Sequence, residues 1–150
     1  MKAALSIAFA VALTVYGQSA SAINSFIHKQ AQQEHGEEYE KARKTIAGDF
    51  NRDGIPDKAV LYTIEGQNGT NNYVQYLAVF LGTKTGLEAA AHVVVGGKGY
   101  RSVELKAAHG NTIELETMSY GPHDPMCCPS LKGETTYVLA GQTLVEQKNQ

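Results

Sequence analysis

The chain has 150 residues and a formal net charge of −2, with its Lys and Arg scattered rather than clustered. That offers no field to steer a polyanion, so nucleic acid is not an expected partner. The length fits one domain with a real core.

Residues 1–22 read as a secretory leader. Met1-Lys2 gives a positive start, Ala3 to Tyr16 is almost unbroken apolar sequence, and Ala20-Ser21-Ala22 fits an A-x-A cleavage site. The apolar run is too short for a membrane span, and no later run approaches that length. Cleavage after Ala22 leaves a single α+β domain over 23–150, exported to the periplasm or beyond. Losing Lys2 takes the formal charge from −2 to −3. No cysteine stands at the cleavage point to carry a lipid.

Gln, Glu, Lys and Ala favour helix after the leader. Ile23, Phe26, Ile27 and Ala31 recur at helical spacing. The expectation is a helix near 24–34, capped by Asn24 or Ser25, with a weaker continuation past Gly36 toward Arg43. His28 and His35 fall on its polar face and are expected at the surface.

From Thr45 the period changes to 2. Segments 58–66, 73–82, 87–97, 100–108, 112–121, 134–141 and 143–147 read as strands, each bounded by Gly, Asn, Pro or Asp. Short turns at 109–111 and 140–142 imply antiparallel neighbours, hence a meander. Ile113 and Leu115 alternate with Glu114 and Glu116, the pattern of a sheet with one wet face. In "VQYLAVFL" both faces are apolar. That strand is expected at the centre, with the helix as its cover. No segment repeats at a fixed spacing, which excludes a propeller or solenoid built within the chain.

"GDFNRDGIPDKAV", 48–60, is the most specific stretch. Asp49, Asn51, Asp53, Ile55 (through its carbonyl) and Asp57 fall on positions 1, 3, 5, 7 and 9 of a calcium loop, with Gly54 at the sharp turn. Hard oxygens at alternate positions can wrap a cation, and a divalent ion relieves the repulsion among three carboxylates. Position 12 is Val60, so the bidentate Glu of an EF-hand is missing, and a strand rather than a helix follows. The alternative is an ion-free turn in which Asp and Asn bond nearby amides. The stretch resembles the calcium loop of FG-GAP (integrin-type) repeats, where a D-x-[DN]-x-D-G-x-x-D loop runs into an apolar strand. The resemblance implies structural Ca²⁺ at those five residues. With one copy present, it does not bring the propeller.

No hydrolase, zinc-protease, phosphate-loop or C-x-x-C motif occurs, so no enzyme is expected. "VVVGGKGYRS", 93–102, leads from strand to strand and reads as a hairpin turn. Glu114 and Glu116 could be paired carboxylates of glycoside chemistry, but two exposed same-face residues are ordinarily just solvated. His92 and His109 are accounted for by packing and by solvent.

"GPHDPMCCPS", 121–130, holds the two cysteines, Cys127 and Cys128. In an oxidising compartment free thiols rarely persist. Adjacent Cα atoms lie about 3.8 Å apart across a trans peptide, below the usual disulfide range of about 4.4–6.8 Å. A bridge therefore calls for a distorted or cis peptide, which Pro122, Pro125 and Pro129 permit by excluding regular strand. Four readings stay open. They are a vicinal disulfide, two reduced thiols, intermolecular pairing, and a soft-metal site of Cys127, Cys128, Met126 and His123, whose ligand types suit Cu(I). Taken with the acidic loop, the segment 119–139 resembles small bacterial secreted proteins and lipoproteins that carry a GP-x-D-P-x-CCP turn. The resemblance implies that both features belong to one domain and implies no activity.

The expected function is a monomeric, non-enzymatic, calcium-stabilised module that binds a protein or glycan partner or another part of the envelope. The alternative is a copper or redox role at the cysteine turn.

Overall fold

The computed structural model describes residues 6–147, with side chains from residue 20 onward. One helix, α1 (Ser6–Gln33), precedes β1 (Glu37–Glu38), β2 (Lys44–Gly48), β3 (Asp57–Glu65), β4 (Tyr73–Thr83), β5 (Gly86–Gly97), β6 (Arg101–His109), β7 (Thr112–Ser119), β8 (Leu131–Ala140) and β9 (Thr143–Gln147). The seven expected strands are all present, in a mostly antiparallel sheet with one helix.

The helix differs from expectation at both ends. It begins within the expected leader, whose first five residues lie outside the described ones, so Asn24 and Ser25 are helix interior and cap nothing. No described helix is long and apolar enough to cross a membrane. The continuation toward Arg43 is replaced by β1, a short 3₁₀ turn at Glu40–Ala42 and β2. The stop has a clear physical cause. His35 takes the left-handed conformation (φ 52°). The Gly36 amide donates to the Ala31 carbonyl at 2.9 Å, and that of His35 to Gln32 at 3.2 Å. These are the paired bonds of a Schellman cap. A Cβ on Gly36 would lie 2.8 Å from the Glu65 carbonyl oxygen, so the chain leaves the helix against β3, where Glu37 and Glu38 pair with Glu65 and Ile64.

From β3 to β9 each strand pairs antiparallel with its predecessor, while β1 and β2 share the outer edge of β3. β3 and β4 are apolar on both faces. Val60, Tyr62, Ile64, Tyr76, Ala78 and Phe80 face α1, whose stripe of Ile23, Ile27 and Ala31 covers them. Burying each large apolar side chain contributes about 1.5–3 kcal/mol. Within this layer the Tyr76 hydroxyl donates to Glu34 at 2.7 Å and Gln30 Nε2 donates to the same carboxylate at 2.9 Å. The Tyr62 hydroxyl donates to Gln30 Oε1. Every polar group that the helix brings to the sheet here thus finds a partner.

Alternate residues Leu61, Leu77 and Val79 face the other way, into a core shared with Val95, Ile113, Leu115 and Tyr137. This core forms because the sheet folds over on itself. Between β5 and β6 a single pair, Gly97 with Arg101, joins the halves β2–β5 and β6–β9. Arg101 fastens the fold inside the bend. Its Nε donates to the Val95 carbonyl at 2.7 Å, while its guanidinium nitrogens reach Glu146 at 2.9 Å and the Tyr137 hydroxyl at 3.1 Å.

Candidate functional site at the cysteine turn

Residues 121–130 connect β7 to β8 as two successive tight turns. The Asp124 amide donates to Gly121 at 3.2 Å and the Cys128 amide to Pro125 at 2.9 Å. Turning the chain through Met126 and Cys127 removes the opposed side-chain directions of an extended strand. Cys127 and Cys128 are disulfide-bonded, with an S–S distance of 2.24 Å and a Cα–Cα distance of 3.8 Å. No cis peptide occurs among the described residues, so of the two expected routes the bridge does not use a cis bond. Both cysteines are exposed, as are His123 and Met126.

Asp124 organises this turn. Its Oδ2 accepts the Gly121 amide at 2.7 Å and the Ser130 amide at 2.8 Å, and the Ser130 hydroxyl donates to both carboxylate oxygens at 2.8 and 2.9 Å. One carboxylate thereby ties together the two ends of the connection. The Gly121 amide and the Ser130 hydroxyl and amide hold its pKa below the ordinary carboxylate value, although partial desolvation opposes them. The Tyr120 hydroxyl adds a bond to the Met126 carbonyl at 2.8 Å. Sequence reasoning passed over Asp124 and Ser130 because it asked what each residue could ligate. The usable signal was an Asp directly before Pro125 in a proline-rich turn, the kind of residue that bonds nearby backbone amides.

Met126 Cε sits 3.8 Å from where a Cβ on Gly99 would be, against the β5–β6 turn. Among the described residues no three His, Cys, Asp or Glu side chains converge as a metal-holding group. His123, Cys127 and Cys128 thus form no such group, and with Met126 they share one exposed turn.

The acidic loop lies between β2 and β3. Asp49 accepts the amides of Asp53 at 3.1 Å and Gly54 at 3.0 Å. Asn51 Oδ1 accepts the Asp53 amide at 3.2 Å, and Asp53 accepts the Ile55 amide at 2.7 Å and the Asn51 side-chain NH₂ at 2.8 Å. Arg52 (φ 62°) and Gly54 (φ 81°) supply the left-handed bends. Asp49, Asn51 and Asp53 line the loop, whereas Asp57 is fully buried. Its two oxygens accept the Phe50 amide at 2.6 Å and the Gly82 amide at 2.8 Å. As a set of five calcium ligands the residues do not fit the arrangement, because Asp57 is turned inward onto two backbone amides.

A groove of about 720 Å³ runs over the outer face of β6–β8 beside Pro129. There Glu104, Glu116 and Glu134 stand directly across from one another. Lys106 contacts Glu134 at 2.5 Å, which offsets the like-charge repulsion of the row. Glu116 thus belongs to a solvated ladder of charges, with Glu114 two positions along the strand against Thr136.

No protein-family model, curated protein or solved structure matches the chain.

Proposed function

We propose that the chain is an exported, non-catalytic sheet domain that presents a redox-active disulfide at one end and exchanges it with external dithiols. The observation that carries this reading is the exposed Cys127–Cys128 bridge on a turn tied at its base by Asp124. Exchange begins when a thiolate of the dithiol attacks one exposed sulfur, breaking the Cys127–Cys128 bond and forming a mixed disulfide. The second external thiol then attacks the mixed disulfide and displaces the cysteine still bonded in it, closing the dithiol's own disulfide. Two electrons and two protons pass to the chain, and the dithiol leaves oxidised. Export is supported by the leader pattern that ends at Ala22. Cleavage there would keep Ile23, Ile27, Gln30 and Ala31 against the sheet. The test is thiol counting in dithiol buffers of graded potential. Two thiols should appear together with the far-ultraviolet circular dichroism unchanged. Thiols that appear only on unfolding would sink the exchange role.

A second reading keeps calcium at Asp49, Asn51, Asp53 and the Ile55 carbonyl, stiffening a monomeric domain that binds a protein or glycan. What favours it is the exposed loop already bent at Arg52 and Gly54. A calcium-binding loop raises the midpoint of thermal unfolding relative to chelator by mass action. Identical unfolding curves with millimolar Ca²⁺ and with chelator would remove this reading.

A further inference from the structure

We propose that the reduced Cys127–Cys128 pair is a binding site for trivalent arsenicals. The inference rests on the redox reading, since both sulfurs must first be freed as thiols.

The turn that carries the pair does not depend on the sulfurs. Its bonds run from Gly121 and Ser130 to Asp124, from Cys128 to Pro125 and from Tyr120 to Met126, and every one is made by backbone, carboxylate or hydroxyl groups. Opening the disulfide removes no member of that frame, so the two thiols stay on one side of one exposed turn. Adjacent residues 3.8 Å apart at Cα can bring both sulfurs to one small centre at little further entropic cost.

The kind of centre follows from coordination geometry. A linear two-coordinate ion needs its sulfurs on opposite sides, which neighbouring residues on one turn supply poorly. A tetrahedral ion needs two more protein ligands, and no third His, Cys, Asp or Glu converges with the pair among the described residues. A pyramidal arsenic(III) centre accepts two sulfurs on one side and brings its own third substituent. Exposure of both cysteines leaves room for that substituent. Thiolates are the soft ligands such a thiophilic centre prefers.

The reaction with an organic arsenous acid is a condensation. Two As–O bonds break and two As–S bonds form. Each thiol proton leaves with one hydroxide as water, so two waters are released. Arsenic stays trivalent and no electrons move.

The probe is phenylarsine oxide, read by intact mass and thiol counting on the phosphine-reduced chain. One arsenic per chain should be bound and two thiols lost, and the adduct should survive excess monothiol but be stripped by a dithiol. Cys127→Ser and Cys128→Ser should each weaken binding at least tenfold and make the adduct labile to monothiol. Asp124→Asn, which keeps both cysteines, should bind less tightly than the parent. Absence of a one-to-one adduct on a chain with two free thiols would overturn the site, as would equal retention by the single-cysteine variants. The exchange role fails separately, if dithiol cannot open the bridge in the folded chain. The probe is then offered to chain reduced by phosphine in denaturant and diluted back, and the same adduct or its absence decides.

Discussion

The Asp57 carboxylate at the start of β3 accepts the Gly82 amide of β4 at 2.8 Å, and its other oxygen holds the Phe50 amide at 2.6 Å. One buried acid thus fastens the acidic loop to the sheet. Replacing it by Asn puts an NH₂ group against a buried N–H. Asp57→Asn should cost about 2–4 kcal/mol of folding free energy, read by urea unfolding. A smaller loss than that of Asp53→Asn would overturn the clamp.

Gly82 is a second expected weak point. A Cβ there would lie 2.4 Å from the Pro56 carbonyl oxygen and 2.6 Å from Ile55 Cγ2. Gly82→Ala must push the loop away and should destabilise by about 1–3 kcal/mol. At Gly121 the nearest atom is Asp124 Oδ2 at 3.4 Å, an ordinary contact. Gly121→Ala therefore serves as the control, and equal midpoints for the two variants would count against the steric account.

Asp124 gives the cysteine turn a pH dependence. Its pKa is lowered in the fold, first by the Gly121 amide and then by Ser130. The bonds it accepts are complete above the ordinary carboxylate pKa and weaken as pH falls through the lowered value. Reduction of Cys127–Cys128 by a phosphine should accelerate once pH drops below that value. Asp124→Asn should already show the faster rate at neutral pH. A rate independent of both would show that Asp124 does not restrain the bridge.

The Arg101–Glu146 pair should hold the folded-over sheet closed. Partial burial opposes ionisation of Glu146, yet bonds from Thr135 and Arg101 win and lower its pKa. Its contribution is present above the ordinary carboxylate range and lost as pH falls through the folded value. Arg101→Met removes the partner of a carboxylate that remains partly exposed, at a cost of about 1–3 kcal/mol near pH 7. The gap to the parent should narrow in acid, and a constant gap from pH 7 to pH 3 would argue against the pair.

Period-2 alternation made the seven strands from β3 to β9 legible, because their side chains divide between a core and either α1 or water. The short edge strands β1 and β2 were not legible. Lys44–Gly48 has little alternation of its own and is a strand only because β3 offers an open edge. The helix end was half visible, since Gly36 marked a stop but the left-handed bend fell on His35. In the acidic loop, alternating oxygens look alike whether they await a cation or hold amides. Asp57 differs in standing next to the buried run that begins at Ala59, which put its carboxylate inside the protein. At 121–130 the two cysteines were legible and the Asp124 frame was not, because its bonds depend on how the chain turns.

The lone rung between Gly97 and Arg101 has a mechanical consequence. A meander pulled from its C-terminus yields by peeling, one strand at a time, at low force. Stripping β9 takes Glu146 away from Arg101, and the polar links that then cross the bend are the Gly97–Arg101 pair, the Arg101 bond to Val95 and the two bonds between the Gln75 side chain and Val103. With so few links across the bend, β6 to β8 should give way together as the first step once β9 has peeled. Behind it, β3 and β4, packed on both faces and bound along their full lengths, would give a second and stiffer step in an optical trap.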